Sequence, residues 1–200
     1  MTKPRIALII GSTRPTRFAD KPAQWLLAQA QQRDDLSVEL LDLRDFDLPF
    51  FSEMASEKWM PSQSAAAQAW QRAVAGFDGY VFLVAEYNHS ITGVLKNALD
   101  QAYNGWGRKP FSAFGYGGVG AARAVEHLRG IGVELQMAPV KSAVHLGGGE
   151  FIAVHPMGQN APMEAVAATL APSVTAMFDD LVWWSRALSP ARAADQARAA

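Results

Sequence analysis

The sequence predicts an α/β fold, a three-layer α/β/α arrangement with a five-stranded parallel sheet and helices on both faces. Three observations predict it. Short apolar, β-branched runs alternate with longer stretches of helical period along the chain, the pattern of successive βα units. The run Tyr80-Val81-Phe82-Leu83-Val84-Ala85 is apolar without alternation, as expected of a central strand buried on both faces. Three unusual loops, Gly11–Phe18, Glu86–Ser90 and Gly115–Gly120, follow the first, third and fourth strands, and right-handed crossovers bring such loops to one edge of a doubly wound sheet.

The elements follow in order. Arg5–Ile10 reads as the first strand, and Gly11–Phe18 as a loop. A helix runs from about Asp20 to Gln32, with Asp20 as its expected N-cap and Pro22 tolerated in the first turn. Leu36–Leu43 is a second strand whose polar positions put it toward a sheet edge. Arg44–Pro61 has no clean period yet carries Phe50, Phe51, Met54, Trp59 and Met60, so it is expected to border a pocket or a partner. Ser62 or Ser64 opens a helix through Val74, and Gly76 ends it. After the Tyr80–Ala85 strand, Ile91, Val94, Leu95, Ala98, Leu99 and Ala102 keep helical spacing, with Lys96 and Asp100 at i,i+4 as a surface ion pair. Phe111–Tyr116 is a fourth strand, Ala121–Leu128 a helix, and Leu135–Val144 contains a fifth strand interrupted near Pro139. Gly147–Gly149 is expected to be a flexible loop, Met163–Leu188 a helix with Trp183 and Trp184 in core or interface positions, and Ala191–Ala200 a frayed tail. Residues 1–200 thus form one domain, with about 190–200 as a loose end.

Composition narrows the functional class. Half the chain is hydrophobic and 18% charged, enough for a substantial core. Lys plus Arg is 18 against 19 Asp plus Glu, which gives no basic field for nucleic acid. Zero cysteines exclude disulfides, thiolate metal sites and cysteine nucleophiles. Ile6–Ile10 is too short for a signal h-region of ~7–15 residues. No stretch is expected to reach the ~20 apolar residues of a membrane span. The expectation is a soluble, cytoplasmic protein without a membrane partner. His127, His145 and His155 lack metal-ligand spacing and are read as structural, so no metal is expected.

The loop Gly11-Ser12-Thr13-Arg14-Pro15-Thr16-Arg17-Phe18 places Arg14 and Arg17 just before a helix N-terminus. That end is already positive, so an anion there resolves the conflict and points to a phosphate monoester; a solvated basic turn is the alternative on the loop alone. The loop has neither G-x-G-x-x-G nor G-K-[ST], so dinucleotide and nucleoside-triphosphate fingerprints are missing. A mononucleotide fits best.

Gly11-Ser12-Thr13-Arg14, Glu86-Tyr87-Asn88-His89-Ser90, Thr92-Gly93-Val94-Leu95-Lys96-Asn97-Ala98-Leu99-Asp100 and Tyr116-Gly117-Gly118 with Arg123-Ala124 together resemble the NAD(P)H-dependent FMN reductase family, over roughly Arg5 to Trp184. Two positions depart from that family's common pattern, where proline precedes Glu86 and Gly93; this chain has Ala85 and Thr92. The resemblance implies a flavodoxin-like fold and FMN as cofactor. It also implies NADPH or NADH as co-substrate, a small-molecule electron acceptor such as free flavin or quinone, and a homodimer or homotetramer. It implies that Ser12, Arg14, Arg17 and the N–H of Phe18 hold the phosphate. Glu86, Tyr87, Asn88 and His89 would line the isoalloxazine ring, and Tyr116, Gly117 and Gly118 its pyrimidine side. No catalytic side chain is implied, because hydride passes directly between the two cofactor rings. A non-enzymatic flavodoxin-type electron carrier is the alternative reading.

Overall fold

The computed structural model describes residues 3–199. The strands are β1 (Arg5–Ile10), β2 (Ser37–Asp42), β3 (Gly79–Ala85), β4 (Pro110–Tyr116), β5 (Ala138–Pro139) and β6 (Val144–Leu146). The helices are α1 (Asp20–Gln31), α2 (Ala65–Ala75), α3 (Gly93–Asp100), α4 (Ala122–Glu134), α5 (Gly148–Val154) and α6 (Ala167–Ala199). The sheet is parallel throughout, in the order β2-β1-β3-β4-β5, with β6 also paired to β4.

Successive side chains of a strand point to opposite faces, and the two cores follow this alternation. Ile6, Leu8, Val81, Leu83, Phe114 and Tyr116 pack against α1 and α6. Ala7, Ile9, Tyr80, Phe82, Phe111 and Ala113 pack against α2, α3 and α4. Every residue of β3 and of β4 is buried, as the unbroken apolar run of the sequence requires. Phe82, Tyr80, Trp70 and Trp106 form an aromatic cluster under α2 and α3, edge-to-face where Trp106 meets Trp70 and Tyr80 and tilted at the Phe82 contacts.

The expected fifth strand is two short ones. Pro139 has no N–H to donate, and from Phe111 to Phe114 the partner chain advances from Pro139 to Val144, five steps against three. The two extra residues bulge, and Ser112 Oγ steadies them by donating to Ser142 O at 2.6 Å. Gly147–Gly149 is not a loose loop: Gly148 begins α5. Asp20 does not cap α1; Ala19 holds that position and Asp20 lies in the first turn. Ser64 and Thr92 do cap their helices, accepting the N–H of Ala67 and Leu95. The Lys96–Asp100 pair forms at 2.6 Å.

Met163–Asp195 is long and apolar enough, by length and composition, to cross a membrane, contrary to the expectation from the sequence. Its composition has a packing reason: Leu170, Val174, Met177, Phe178, Leu181 and Val182 are buried on the sheet. Trp183 and Trp184 are not in the core. They stack edge-to-face with each other and are 64% and 38% exposed. The helix continues through the expected tail to Ala199, with Arg192 bonded to Asp78 at 2.7 Å and Arg108 paired with Asp195; Ala200 lies outside the described residues.

Candidate functional site

The loops after β1, β3 and β4 meet at one edge of the sheet, and a cleft of ≈ 320 Å³ opens among them. The first loop leaves β1 in close contact with β3. Gly11 N–H donates to Leu83 O at 3.1 Å, and a Cβ on residue 11 would stand 2.7 Å from that oxygen, so only glycine fits. Pro15 then turns the chain back, with Arg17 N–H donating to Arg14 O at 3.1 Å. Among the described residues, the N–H groups of Thr13, Arg14, Thr16 and Phe18 donate to no other backbone oxygen, so they stand available in front of α1.

The two arginines of this loop differ. Arg14 is exposed and lines the cleft; its guanidinium donates to Tyr87 Oη at 3.2 Å, which raises its pKa. Arg17 faces inward. Its side chain is 3% exposed and forks onto Asp42 (2.6 Å to Oδ1) and Asp20 (2.8 Å), while also donating to Ser12 O at 2.8 Å. Arg17 also lines the cleft, but in this structure its guanidinium is engaged by the two carboxylates and by Ser12 O, and so braces the loop. The sequence signal was Asp42 at the end of the neighbouring strand, where β1 and β2 run in register from Arg5 opposite Ser37 to Ile10 opposite Asp42.

The second loop is a two-residue hairpin turn. Tyr87 and Ser90 exchange backbone hydrogen bonds at 2.9 and 3.0 Å, with Asn88 (φ 51°) and His89 (φ 67°) both left-handed. Asn88 and His89 are exposed at the rim, beyond the residues that line the cleft, whereas Glu86 and Tyr87 line it. The Glu86 carboxylate is engaged elsewhere. It pairs with Arg123 and accepts the N–H groups of Arg123 and Ala124 at 3.2 and 3.4 Å, capping α4, whose own N-cap, Ala121, has no side-chain acceptor. Burial pushes its pKa up, but Arg123 and the helix N–H groups outweigh this and hold it below the usual carboxylate value. Ser90 Oγ lies 2.7 Å from His127 Nδ1.

The third loop begins at Tyr116, which is buried, 5.4 Å from the Phe18 ring, with its phenol pKa pushed up chiefly by that burial. Gly117 (φ 137°) holds a dihedral that L side chains rarely adopt, and a Cβ on either Gly117 or Gly118 would meet nothing within 4 Å. A flat ring can therefore approach this backbone directly. Thr92, the departure from the common family pattern, has a clear use: its hydroxyl donates to Gly11 O while capping α3, tying the first loop to the second.

One wall was not foreseen. Phe151, His155, Pro156 and Met157, from α5 and the chain after it, also line the cleft. The available signal was Phe151 and His155 at i,i+4 spacing directly after a glycine-rich run. Among the described residues, no group of three or more His, Asp or Glu is placed to hold a metal.

An open parallel sheet with an anion-ready loop and a glycine-floored cleft at its carboxyl edge defines a flavodoxin-like mononucleotide-binding protein. The chain belongs to the NADPH-dependent FMN reductase family, whose model matches residues 4–150. It is 34% identical over 146 residues to an NAD(P)H-dependent FMN reductase of Nectria sp, covering 68% of this chain and 73% of that one. It is also 34% identical over 134 residues to a 2-hydroxy-1,4-benzoquinone reductase of Burkholderia sp, covering 64% and 69%. In fold it is similar to FerB, a flavoenzyme NAD(P)H:(acceptor) oxidoreductase from Paracoccus denitrificans. That match has a TM-score of 0.71 and 22% identity, and covers 92% of this chain and 98% of the other. Family membership makes the chain an FMN-dependent, NAD(P)H-driven oxidoreductase and decides against the non-enzymatic carrier.

Proposed function

We propose that the chain holds FMN in this cleft, takes hydride onto it from NADPH or NADH, and delivers the electrons to a quinone or free flavin. The observation that carries the reading is the pairing, within one cleft, of unbonded N–H groups beside Arg14 with the open backbone at Gly117. The first is built for an anion and the second for a flat ring. Ser12, Arg14 and the N–H groups of Thr16 and Phe18 hold the phosphate. The backbone of Glu86 and Tyr87 and of Tyr116 and Gly117 lines the ring, with Asn88, His89 and Gly118 at the rim, and N–H groups there favour negative charge on the pyrimidine side. FMN bound there supplies the hydride chemistry itself. The chain's residues would bind and orient it, and nicotinamide and acceptor would use the site in turn.

A quinone acceptor is supported by the Burkholderia relative. A homodimer or homotetramer is supported by the apolar segment before α2, where Phe50, Met54 and Trp59 are 83%, 91% and 74% exposed. That segment is held in place rather than loose: Asn97 Nδ2 and Gln101 Nε2 donate to Pro49 O, and Glu57 accepts the N–H groups of Tyr103 and Asn104. A cytoplasmic location accompanies dependence on the NAD(P)H pool.

Anaerobic titration tests the reading. The FMN-loaded protein is mixed with NADH or NADPH, and the yellow absorbance is expected to bleach and then return on adding a benzoquinone. Bound FMN that neither nucleotide bleaches would leave the reductase reading without support. Sedimentation of wild type and of a Phe50→Ser, Trp59→Ser variant checks the oligomer, since the variant is expected to run as the smaller species.

A further inference from the structure

We propose that His155 is a ligand of the flavin phosphate, supplying the donor that Arg17 does not. The inference rests on the FMN reading of the cleft. A phosphate monoester carries roughly −1.5 to −2 charge near neutral pH, and the sequence offers it two arginines. The structure leaves it one. Arg17 is held by Asp42 and Asp20, and Arg44 also approaches Asp20 at 3.7 Å, so these two cations balance two carboxylates. Among the described residues, Arg14 is the cation of the cleft without a carboxylate partner.

His155 lines the same cleft. Its ring lies 5.2 Å from that of Phe18, whose backbone N–H is among the unbonded groups before α1, and 4.7 Å from Phe151. The two aromatic rings fix its plane. Met157 N–H donates to Nδ1 at 3.1 Å, so a neutral ring carries its proton on Nε2 and offers that atom as a donor. The wall is also fixed relative to the loop. Lys21, in the first turn of α1, donates to Val154 O at 2.8 Å, to Ala161 O at 2.5 Å and to Asn160 Oδ1 at 3.2 Å. The segment bearing His155 is thus strapped to the same helix end whose N–H groups meet the phosphate. The family match ends at residue 150, so this wall lies outside the shared segment.

The test compares FMN with riboflavin, which lacks only the phosphate, by quenching of flavin fluorescence with full-length apoprotein. His155→Ala is expected to lose about tenfold in FMN affinity, the value of one hydrogen bond to a charged group, with riboflavin affinity unchanged. His155→Gln, whose amide nitrogen reaches close to the position of Nε2, is expected to recover most of that loss. A merely structural histidine would weaken both flavins alike. Equal losses for FMN and riboflavin, or no loss for either, overturn the assignment. If wild-type apoprotein binds neither flavin, the FMN reading itself fails, and this inference with it.

Discussion

Two charged side chains are buried among the described residues, and they stand at opposite ends of the sheet. Arg17 lies beneath the ligand edge and meets two carboxylates. Lys109, at the start of β4, meets only neutral acceptors: Val74 O, Ala75 O and Tyr80 Oη, at 3.4, 3.1 and 3.1 Å. The consequences run in opposite directions. The Asp42 hydrogen bonds, opposed by burial and joined by Asp20, raise the pKa of Arg17. Burial first, then repulsion from Arg192, pulls Lys109 down to about 8. At the ligand edge, paired charge holds a loop in one shape. At the other edge, a lone ammonium satisfies the last carbonyls of α2, a place where positive charge suits the helix dipole.

Removing the paired cation has the largest expected effect. Arg17→Ala leaves Asp42 and Asp20 with Arg44 alone beside them, its guanidinium 3.7 Å from Asp20 and its backbone N–H bonded to Asp42. The expected loss is about 3 kcal/mol in urea unfolding, the low end for breaking a buried pair from one side, because the carboxylates left behind keep some exposure and Arg44. Because the loop itself loosens, FMN and riboflavin affinity should fall together. Arg17→Lys should recover only part, since an ammonium cannot fork onto two carboxylates. An unchanged unfolding midpoint for Arg17→Ala sinks the brace. The pH dependence has a definite sign. Asp42 has a lowered folded pKa: burial raises it, but hydrogen bonds from Arg17 and from Arg44 N–H lower it further. Its contribution is present above the unfolded carboxylate pKa of about 3.9 and is lost as pH falls through the lower folded value.

The lone cation gives the mirror-image prediction. Lys109 binds its proton less tightly folded than unfolded, about 8 against 10.5. Its burial cost is therefore complete below about pH 8 and disappears as pH rises toward the unfolded value, where the unfolded chain binds more protons than the folded one. Wild type and Lys109→Met, compared by unfolding at pH 7 and at pH 10.5, should change their stability difference by roughly 3 kcal/mol in favour of wild type. The lost contacts to Val74 O and Ala75 O offset both measurements equally, so the pH-dependent part isolates the ammonium. A difference that does not move with pH contradicts the depressed value.

Arg14 tests the comparison within the ligand edge itself. It is exposed and bonded to Tyr87 alone, so Arg14→Ala should cost about tenfold in FMN affinity and leave riboflavin binding unaffected. Stability should change by less than about 0.5 kcal/mol, as for other surface substitutions. Equal losses for both flavins would make Arg14 another brace and erase its difference from Arg17.

That difference also marks the limit of what sequence carries. The parallel sheet, the central place of the Tyr80–Ala85 strand, the edge place of the second strand and the meeting of three loops followed from period and from the handedness of crossovers, because these depend on residues close in the chain. Arg14 and Arg17 share one loop in the sequence; Asp20, three residues after Arg17, and Asp42, 25 residues on and brought alongside by the β1–β2 register, separate them. The Phe151–His155 wall was missed for the same reason, since its place depends on Lys21 reaching across from α1. The double-glycine start of α5 also imitates a flexible loop. The exposed Trp183–Trp184 pair shows the converse: size and apolarity suggest burial, but their side of α6 faces away from the sheet.

Thr92 is the smallest lever on the ligand edge. Its buried hydroxyl accepts the N–H of Leu95 as the cap of α3 and donates to Gly11 O, one hydroxyl serving two loops. Thr92→Ala should cost about 1 kcal/mol of stability, the usual value of an N-cap, and leave the Gly11 carbonyl short of one donor. Thr92→Ser keeps the oxygen and should stay near wild type. Loss of the tie frees Gly11, but Arg17 still braces the loop through Ser12 O, so FMN affinity should fall less than threefold. A larger fall would move the loop's main support from the buried guanidinium to this hydroxyl.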